Sequence, residues 1–203
     1  MNRKQILAMV APLLVIATTY PVFRWLADVF HDDWRLGWYL GLAIYWLAWG
    51  AVFPLLLLGK DETWRLVRPR KPTRVALILV AVPLLLGAVF KFTTGMEYDA
   101  PNGWILLLLL SSALGNGIFE ELLWRGVYWH LFPRNLFTGV IWPTFGFALW
   151  HYVPGSMNPE GNVTTLMIGA GVFGFYLSYL ARKTGTIWWG IVAHVVGGII
   201  MVT

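Results

Sequence analysis

Seven long apolar stretches, separated by short polar segments, run along the chain. They cover residues 5–23, 37–59, 75–90, a stretch that starts near 103, and then 135–150, 161–181 and 184–203. A helix needs about 20 mostly apolar residues to cross the hydrocarbon core of a bilayer. The pattern therefore predicts an all-α, polytopic transmembrane bundle of about seven membrane-spanning helices. We see no repeat or linker, so we expect a single integral membrane domain over residues 1–203.

The composition supports burial in lipid. Hydrophobic residues make up 58% of the chain and charged residues 12%, whereas soluble domains carry about 25% charged residues. The formal net charge is +5, but the basic residues lie next to apolar spans, where they set topology and contact anionic lipids. The lipid bilayer is thus an expected partner and nucleic acid is not. The chain has no cysteine, which excludes a disulfide framework and a thiolate nucleophile.

The charges between the spans predict an orientation. Segment 60–74 holds six Lys and Arg residues against two acidic ones, which places it in the cytoplasm by the positive-inside rule. Alternation along seven spans then puts the N-terminus in the cytoplasm. The loops on the outer side would carry acidic residues: Asp32 and Asp33, Glu97 and Asp99, and Glu160. The small size and the lack of eukaryotic targeting signals favour a prokaryotic cytoplasmic (inner) membrane.

Ionisable residues interrupt three of the apolar spans. Glu120, Glu121 and Arg125 lie in the fourth, His151 ends the fifth, and His194 lies in the seventh. A charged side chain at the bilayer centre costs roughly 2.5–3.5 kcal/mol on insertion scales, so such residues usually face the bundle interior and serve function. The alternative is a structural polar network that only joins helices.

Helix geometry predicts different partners for the two adjacent glutamates. Successive helical residues lie about 100° apart, so Glu120 and Glu121 point in different directions. Arg125 lies four residues after Glu121 and on its face, as an ion pair requires, whereas Glu120 shares its face with Asn116. A carboxylate without a cationic partner in an apolar pocket holds a proton more readily, which suits a general base. We therefore expect Glu120 to be the base and Glu121 to pair with Arg125.

Depth in the membrane brings the histidines to the same layer. Glu120 and His151 would each lie roughly 20–25 Å from the turn near residues 133–135, at 1.5 Å per residue, and His194 reaches this layer with a modest tilt. A carboxylate, imidazoles and no cysteine indicate water activation. Glu120, His151 and His194 could instead bind a cation, as in a zinc hydrolase or an ion transporter. We expect no metal, because with Glu121 turned away and occupied by Arg125 no second carboxylate is available to orient a ligating histidine.

These motifs resemble a known family, the CAAX protease and bacteriocin-processing family of glutamic-type intramembrane endopeptidases, also called the Abi family. The resemblance covers about residues 103–203. The residues that carry it are Glu120, Glu121 and Arg125, then Phe147 and His151, and finally His194. It implies an intramembrane protease that needs no cofactor. Glu120 and His151 would activate water, Glu121 and Arg125 would support the site, and His194 would stabilise the oxyanion.

One position departs from the family pattern. The family usually has Asn or Asp four residues after the last histidine, where this chain has Gly198. Glycine offers no side-chain donor, so the oxyanion contact expected there needs another source, for which Asn116 is a candidate.

The resemblance implies that the substrate is a membrane-anchored protein or peptide, cleaved near its C-terminal anchored segment. Because Glu120 and His151 are predicted at or beyond mid-membrane from the cytoplasm, we favour a site that opens outward and a C-terminal sorting-tail protease. A CAAX-type prenyl-protein endopeptidase and a non-catalytic bacteriocin-immunity or scaffold protein are the alternatives.

Overall fold

The computed structural model describes residues 1–94, 103–158 and 161–202, and within these ranges the chain is helical, without β-strands. The helices are α1 (Arg3–Val29), α2 (Trp34–Leu58), α3 (Lys60–Val67), α4 (Arg74–Thr94), α5 (Gly103–Leu131), α6 (Phe137–Ile141 continued by Trp142–Trp150), α7 (Tyr152–Gly155), α8 (Val163–Thr184) and α9 (Trp188–Val202). The predicted all-α fold is confirmed.

Helix length and hydropathy make this an integral membrane protein. Five helices in the described ranges, α1, α2, α4, α5 and α8, are long and apolar enough to cross a membrane. Helices α6 and α9 fall on the fifth and seventh predicted stretches but are shorter. The total of seven crossings and the cytoplasmic N-terminus stay predictions. The acidic loop residues Glu97, Asp99 and Glu160 lie outside the described residues.

Local sequence signals begin and end the helices. Asn2 caps α1, since its side chain accepts from the Gln5 backbone while the Gln5 side chain accepts from the Asn2 backbone. This reciprocal pairing satisfies two donors that a helix start leaves open. Gly59 separates α2 from α3 at φ 90°, and Gly185 ends α8 at φ 67°. Both angles lie in the left-handed region, which glycine enters without steric cost.

Four π-helical segments widen the turns inside these helices. They are Trp46–Val52 in α2, Asn116–Glu120 and Leu122–Val127 in α5, and Phe137–Ile141 in α6. A π-turn is rare and occurs often at functional sites. The two segments in α5 lie on either side of Glu121, so the backbone departs from the regular α-helix at the predicted site.

An aromatic core fixes α2, α5 and α6 around the site. Tyr45, Trp124 and Trp150 are at most 1% exposed and belong to one hydrophobic cluster with Phe147. Helix α9 packs against α4 and α5. These contacts bring the end of α6 and the middle of α9 to the same part of α5.

The short helix α3 closes the end of the bundle that the charge pattern assigns to the cytoplasm. Leu66 is buried against a cluster that includes Leu122 and Ile187. On the polar face of α3, Glu62 contacts Arg65 and His130. The hydrogen bond from the Arg65 guanidinium, together with the charge of His130, holds the pKa of Glu62 below its usual range.

Candidate active site

His194 of α9 lies between the two glutamates of α5. Its Nδ1 is 3.1 Å from Glu121 Oε1, and its Nε2 is 3.7 Å from Glu120 Oε2. The two carboxylates are buried, with Glu120 1% and Glu121 0% exposed, whereas the His194 side chain is 13% exposed. The structure thus brings together three of the predicted residues, from helices that are more than 70 residues apart in the sequence.

Glu121 forms the predicted ion pair. Arg125 Nη1 donates to Glu121 Oε1 at 2.9 Å, and the Arg125 guanidinium lies over the Phe147 ring at 4.2 Å. Glycines leave room for the pair: a Cβ at Gly190 would lie 2.7 Å from Glu121 Oε2, and one at Gly174 would lie 2.5 Å from Arg125 Nη2. These two glycines of α8 and α9 allow the helices to close over a buried charge pair.

Glu120 has different surroundings. The indole Nε1 of Trp150 donates to Glu120 Oε1 at 3.1 Å, while Oε2 has no hydrogen bond in the described part of the chain. Among residues 1–94, 103–158 and 161–202, no Lys or Arg forms an ion pair with Glu120. The expected lack of a Lys or Arg partner therefore holds there, and the basic group beside Glu120 is the His194 imidazole.

His151 ends α6, directly after Trp150. Its Nδ1 is 2.8 Å from the Phe147 carbonyl oxygen. Because a carbonyl only accepts, Nδ1 carries a hydrogen, and in the neutral ring Nε2 then has the free lone pair. The Phe147 ring meets the rings of His151 and His194 edge-on, with centroids 4.5 and 6.4 Å apart. No direct hydrogen bond links His151 to Glu120 within the described ranges, so their joint action on a water stays a prediction.

The expectation that Glu121 turns away from the histidines is wrong. Its Oε1 meets both Arg125 and His194, because α9 crosses α5 closely enough at Gly117 and Gly190 to insert the imidazole between the two carboxylates. Glu121 therefore lies where it can orient the His194 ring, contrary to the expectation that no carboxylate could do so. In the described residues, however, no group of three His, Cys, Asp or Glu is arranged to hold a metal ion.

Asn116 and Gly198, the two candidate positions for binding the oxyanion, have different surroundings. Asn116 Oδ1 accepts from Trp46 Nε1 at 2.9 Å, which leaves the amide hydrogens of Asn116 as donors for another group. A Cβ at Gly198 would lie 2.9 Å from the Ala113 Cβ on α5, closer than such atoms approach. The close contact between α9 and α5 therefore has no room for the family's usual Asn or Asp.

Sequence reasoning missed the aromatic contribution to the site. Trp150 donates to Glu120, and Tyr45 of α2 stacks on Trp150 with ring centroids 3.9 Å apart. Trp150 directly precedes the motif residue His151, so its position in the sequence could have indicated a role in the site. Tyr45 had no such signal, because it is one of several aromatic residues in an otherwise apolar span.

The burial of residues changes along the bundle at the level of the site. Helix α5 has no buried residue from Gly103 to Ser111, whereas 120–128 are all buried. Helix α9 shows the same change: Ala193 is fully buried, and none of the residues from His194 to Met201 is buried. Glu120 itself lies on the Leu131 side of the midpoint of the 29-residue helix α5. This is nearer to the predicted cytoplasmic end than expected, but the less buried residues lie toward the opposite end.

Comparison with known proteins finds a family that the C-terminal part of the chain resembles. No curated protein and no solved structure matches the sequence. A family model, described as type II CAAX prenyl endopeptidase Rce1-like, matches residues 102–200, which include all the charged residues and histidines of the site. Residues 102–200 are therefore similar to the Rce1-like family of type II CAAX prenyl endopeptidases, whose members are intramembrane proteases.

Proposed function

We propose that the protein is a glutamic-type intramembrane endopeptidase in which Glu120 activates the attacking water. The observation that carries this proposal is the state of the Glu120 carboxylate. One oxygen is held by Trp150 at 3.1 Å, and the other has no hydrogen bond within the described residues and faces His194 at 3.7 Å. A held carboxylate with one available oxygen is suited to accept a proton from water.

In the proposed reaction, Glu120 Oε2 takes a proton from a water molecule whose oxygen attacks the carbonyl carbon of the scissile peptide bond. The lone pair on His151 Nε2 accepts a hydrogen bond from this water and orients it. The tetrahedral intermediate then collapses, the C–N bond breaks, and Glu120 returns its proton to the leaving amine. One water proton thus passes through Glu120 to the new amino terminus, and the other remains with the new carboxyl terminus.

His194 and the Glu121–Arg125 pair serve the developing negative charge. Glu121 accepts the Nδ1 hydrogen of His194 and so fixes the ring, and an imidazolium held in this way presents its Nε2–H to the oxyanion. Asn116 is the second candidate donor, in place of the side chain that Gly198 lacks. Donors of this kind are commonly worth about 3–4 kcal/mol in the transition state. The mechanism assigns no role to a metal or another cofactor.

The proposed substrate is a membrane-anchored protein or peptide, cut near its C-terminal anchored segment. The half-buried residues around α5 and α9 lie on the side of the site away from α3, and the tight cluster around Leu66 and Leu122 closes the other side. Under the predicted orientation this arrangement favours an outward-opening site in a prokaryotic inner membrane and a sorting-tail substrate. The Rce1-like match favours the second candidate, a prenylated CAAX protein.

A comparison of membrane-protein C-termini tests the proposal. Cells that produce the wild-type protein are compared with cells that produce Glu120→Gln at equal level, and the C-terminal peptides of both membrane fractions are identified. We expect C-termini that are trimmed in the first sample only, and their anchors distinguish sorting tails from prenylated ends. Identical C-termini in the two samples would favour the non-catalytic alternative, an immunity or scaffold protein.

A further inference from the structure

Tyr45, in the N-terminal half of the chain, contacts Trp150, which donates a hydrogen bond to the candidate base Glu120. Tyr45 lies on α2, outside the family match at residues 102–200, and its side chain is fully buried. Its ring stacks on the Trp150 indole with centroids 3.9 Å apart and an interplanar angle of 25°. The Trp150 indole in turn donates from Nε1 to Glu120 Oε1 at 3.1 Å.

A hydrogen bond holds the Tyr45 ring against Trp150. Trp124 Nε1 donates to the Tyr45 hydroxyl oxygen at 2.8 Å, and Tyr45, Trp124 and Trp150 are all at most 1% exposed. These three aromatic residues, from α2, α5 and α6, form a buried cluster that reaches Glu120 through the Trp150 indole.

We propose that Tyr45 is a positioning residue that holds the Glu120 carboxylate in the orientation needed for water activation. It acts through Trp150: the hydrogen bond from Trp124 fixes the Tyr45 ring, and the ring fixes the indole that donates to Glu120 Oε1. Without this support the Glu120 side chain can rotate about its own bonds, and its free oxygen no longer points at the water. The inference rests on the proposed role of Glu120 as the base.

The expected kinetic consequence falls on kcat. Tyr45 is fully buried, so we expect substrate binding to be preserved. Small misplacement of a reacting group costs up to about 100-fold in rate. We therefore expect Tyr45→Phe, which removes the acceptor for Trp124 and loosens the ring against Trp150, to lower kcat by about 10- to 100-fold with KM unchanged.

The matched control is Tyr39→Phe. Tyr39 lies on the same helix, and its hydroxyl shares a hydrogen bond with Ser111 Oγ at 2.6 Å. The Tyr39→Phe variant therefore also loses one hydrogen bond, but at a residue that contacts neither Trp150 nor Glu120 in the described part of the chain. The full-length protein in nanodiscs is assayed with a fluorogenic farnesylated CAAX peptide and with an apolar C-terminal tail peptide. Tyr39→Phe should stay within about threefold of wild type. A kcat for Tyr45→Phe in the same range would overturn the proposal.

A spectroscopic measurement distinguishes failure of this inference from failure of the proposed function. The infrared carboxyl band of Glu120 is assigned as the band lost in Glu120→Gln, and it requires no turnover. It should shift in Tyr45→Phe and in Trp150→Phe but not in Tyr39→Phe. An unshifted band in Tyr45→Phe overturns the positioning role. A shifted band together with full activity in Glu120→Gln would show that Glu120 is not the base. The contact between Tyr45 and Trp150 would then have no catalytic role.

Discussion

Two adjacent glutamates occupy two different regions of one site. Glu121 lies in a charged region, where Arg125 and His194 share one of its oxygens and glycines make room for the pair. Glu120 lies in an aromatic region, where a single indole donates to it and its other oxygen has no hydrogen bond within the described residues. Both carboxylates are equally buried, so burial does not distinguish them. Their hydrogen-bond partners distinguish them. Glu121 is engaged in a structural ion pair, whereas Glu120 keeps one oxygen available to accept a proton.

The sharpest test of this comparison is Glu120→Gln. Glutamine keeps an acceptor for Trp150 and removes the base, so turnover of a cleaved peptide should fall by about 10²–10⁴-fold. The thermal unfolding midpoint in detergent should stay at the wild-type value. A variant that retains more than about a tenth of the wild-type rate would remove Glu120 from this role.

The charged region is expected to show the opposite behaviour. Arg125→Ala leaves Glu121 without its cation in a buried environment, and breaking such a pair commonly costs about 3–5 kcal/mol of stability. Thermal unfolding in detergent, with Glu120→Gln as the control, measures this loss. An unchanged midpoint together with lost activity would make Arg125 catalytic and would blur the distinction between the regions.

A smaller change tests how tightly the charged region is packed. Gly190→Ala places a methyl group 2.7 Å from Glu121 Oε2, and overpacking of this kind costs about 1–3 kcal/mol. Gly197→Ala is the matched control on the same helix, because its Cβ would meet only Leu84, at 3.7 Å. The control should be neutral or slightly stabilising, since alanine favours helices over glycine. Thermal unfolding in detergent compares the two variants. Equal unfolding midpoints would show that the Glu121 side chain can move away from the added methyl group.

The smallest expected effect is that of a metal chelator, which should leave the cleavage rate unchanged. The proposed proton transfer uses Glu120 and imidazoles, and His194 Nδ1 is engaged by Glu121. Elemental analysis of the purified protein should find well under one zinc per chain. Chelator-inhibited activity that added zinc restores would assign both regions to a metal site instead.

The sequence alone determined the parts of this protein that depend on neighbours along the chain. Apolar stretches of membrane-spanning length gave the helical membrane fold, and the spacing between Glu121 and Arg125 gave their ion pair, because positions four apart lie on one helix face. The order of three short motifs indicated the family. Each of these features is local or is read along a single helix.

Only the tertiary structure decided how the helices face one another. Three features depend on how α2, α6 and α9 are rotated and how closely they approach α5. They are the position of His194 between both glutamates, the donation from Trp150 and the stacking of Tyr45 on Trp150. An apolar span shows no preferred face in its sequence, since lipid and protein interior favour the same residue types. The close approach of α9 to α5 also explains why Gly198 has no room for a side chain, which no sequence pattern showed.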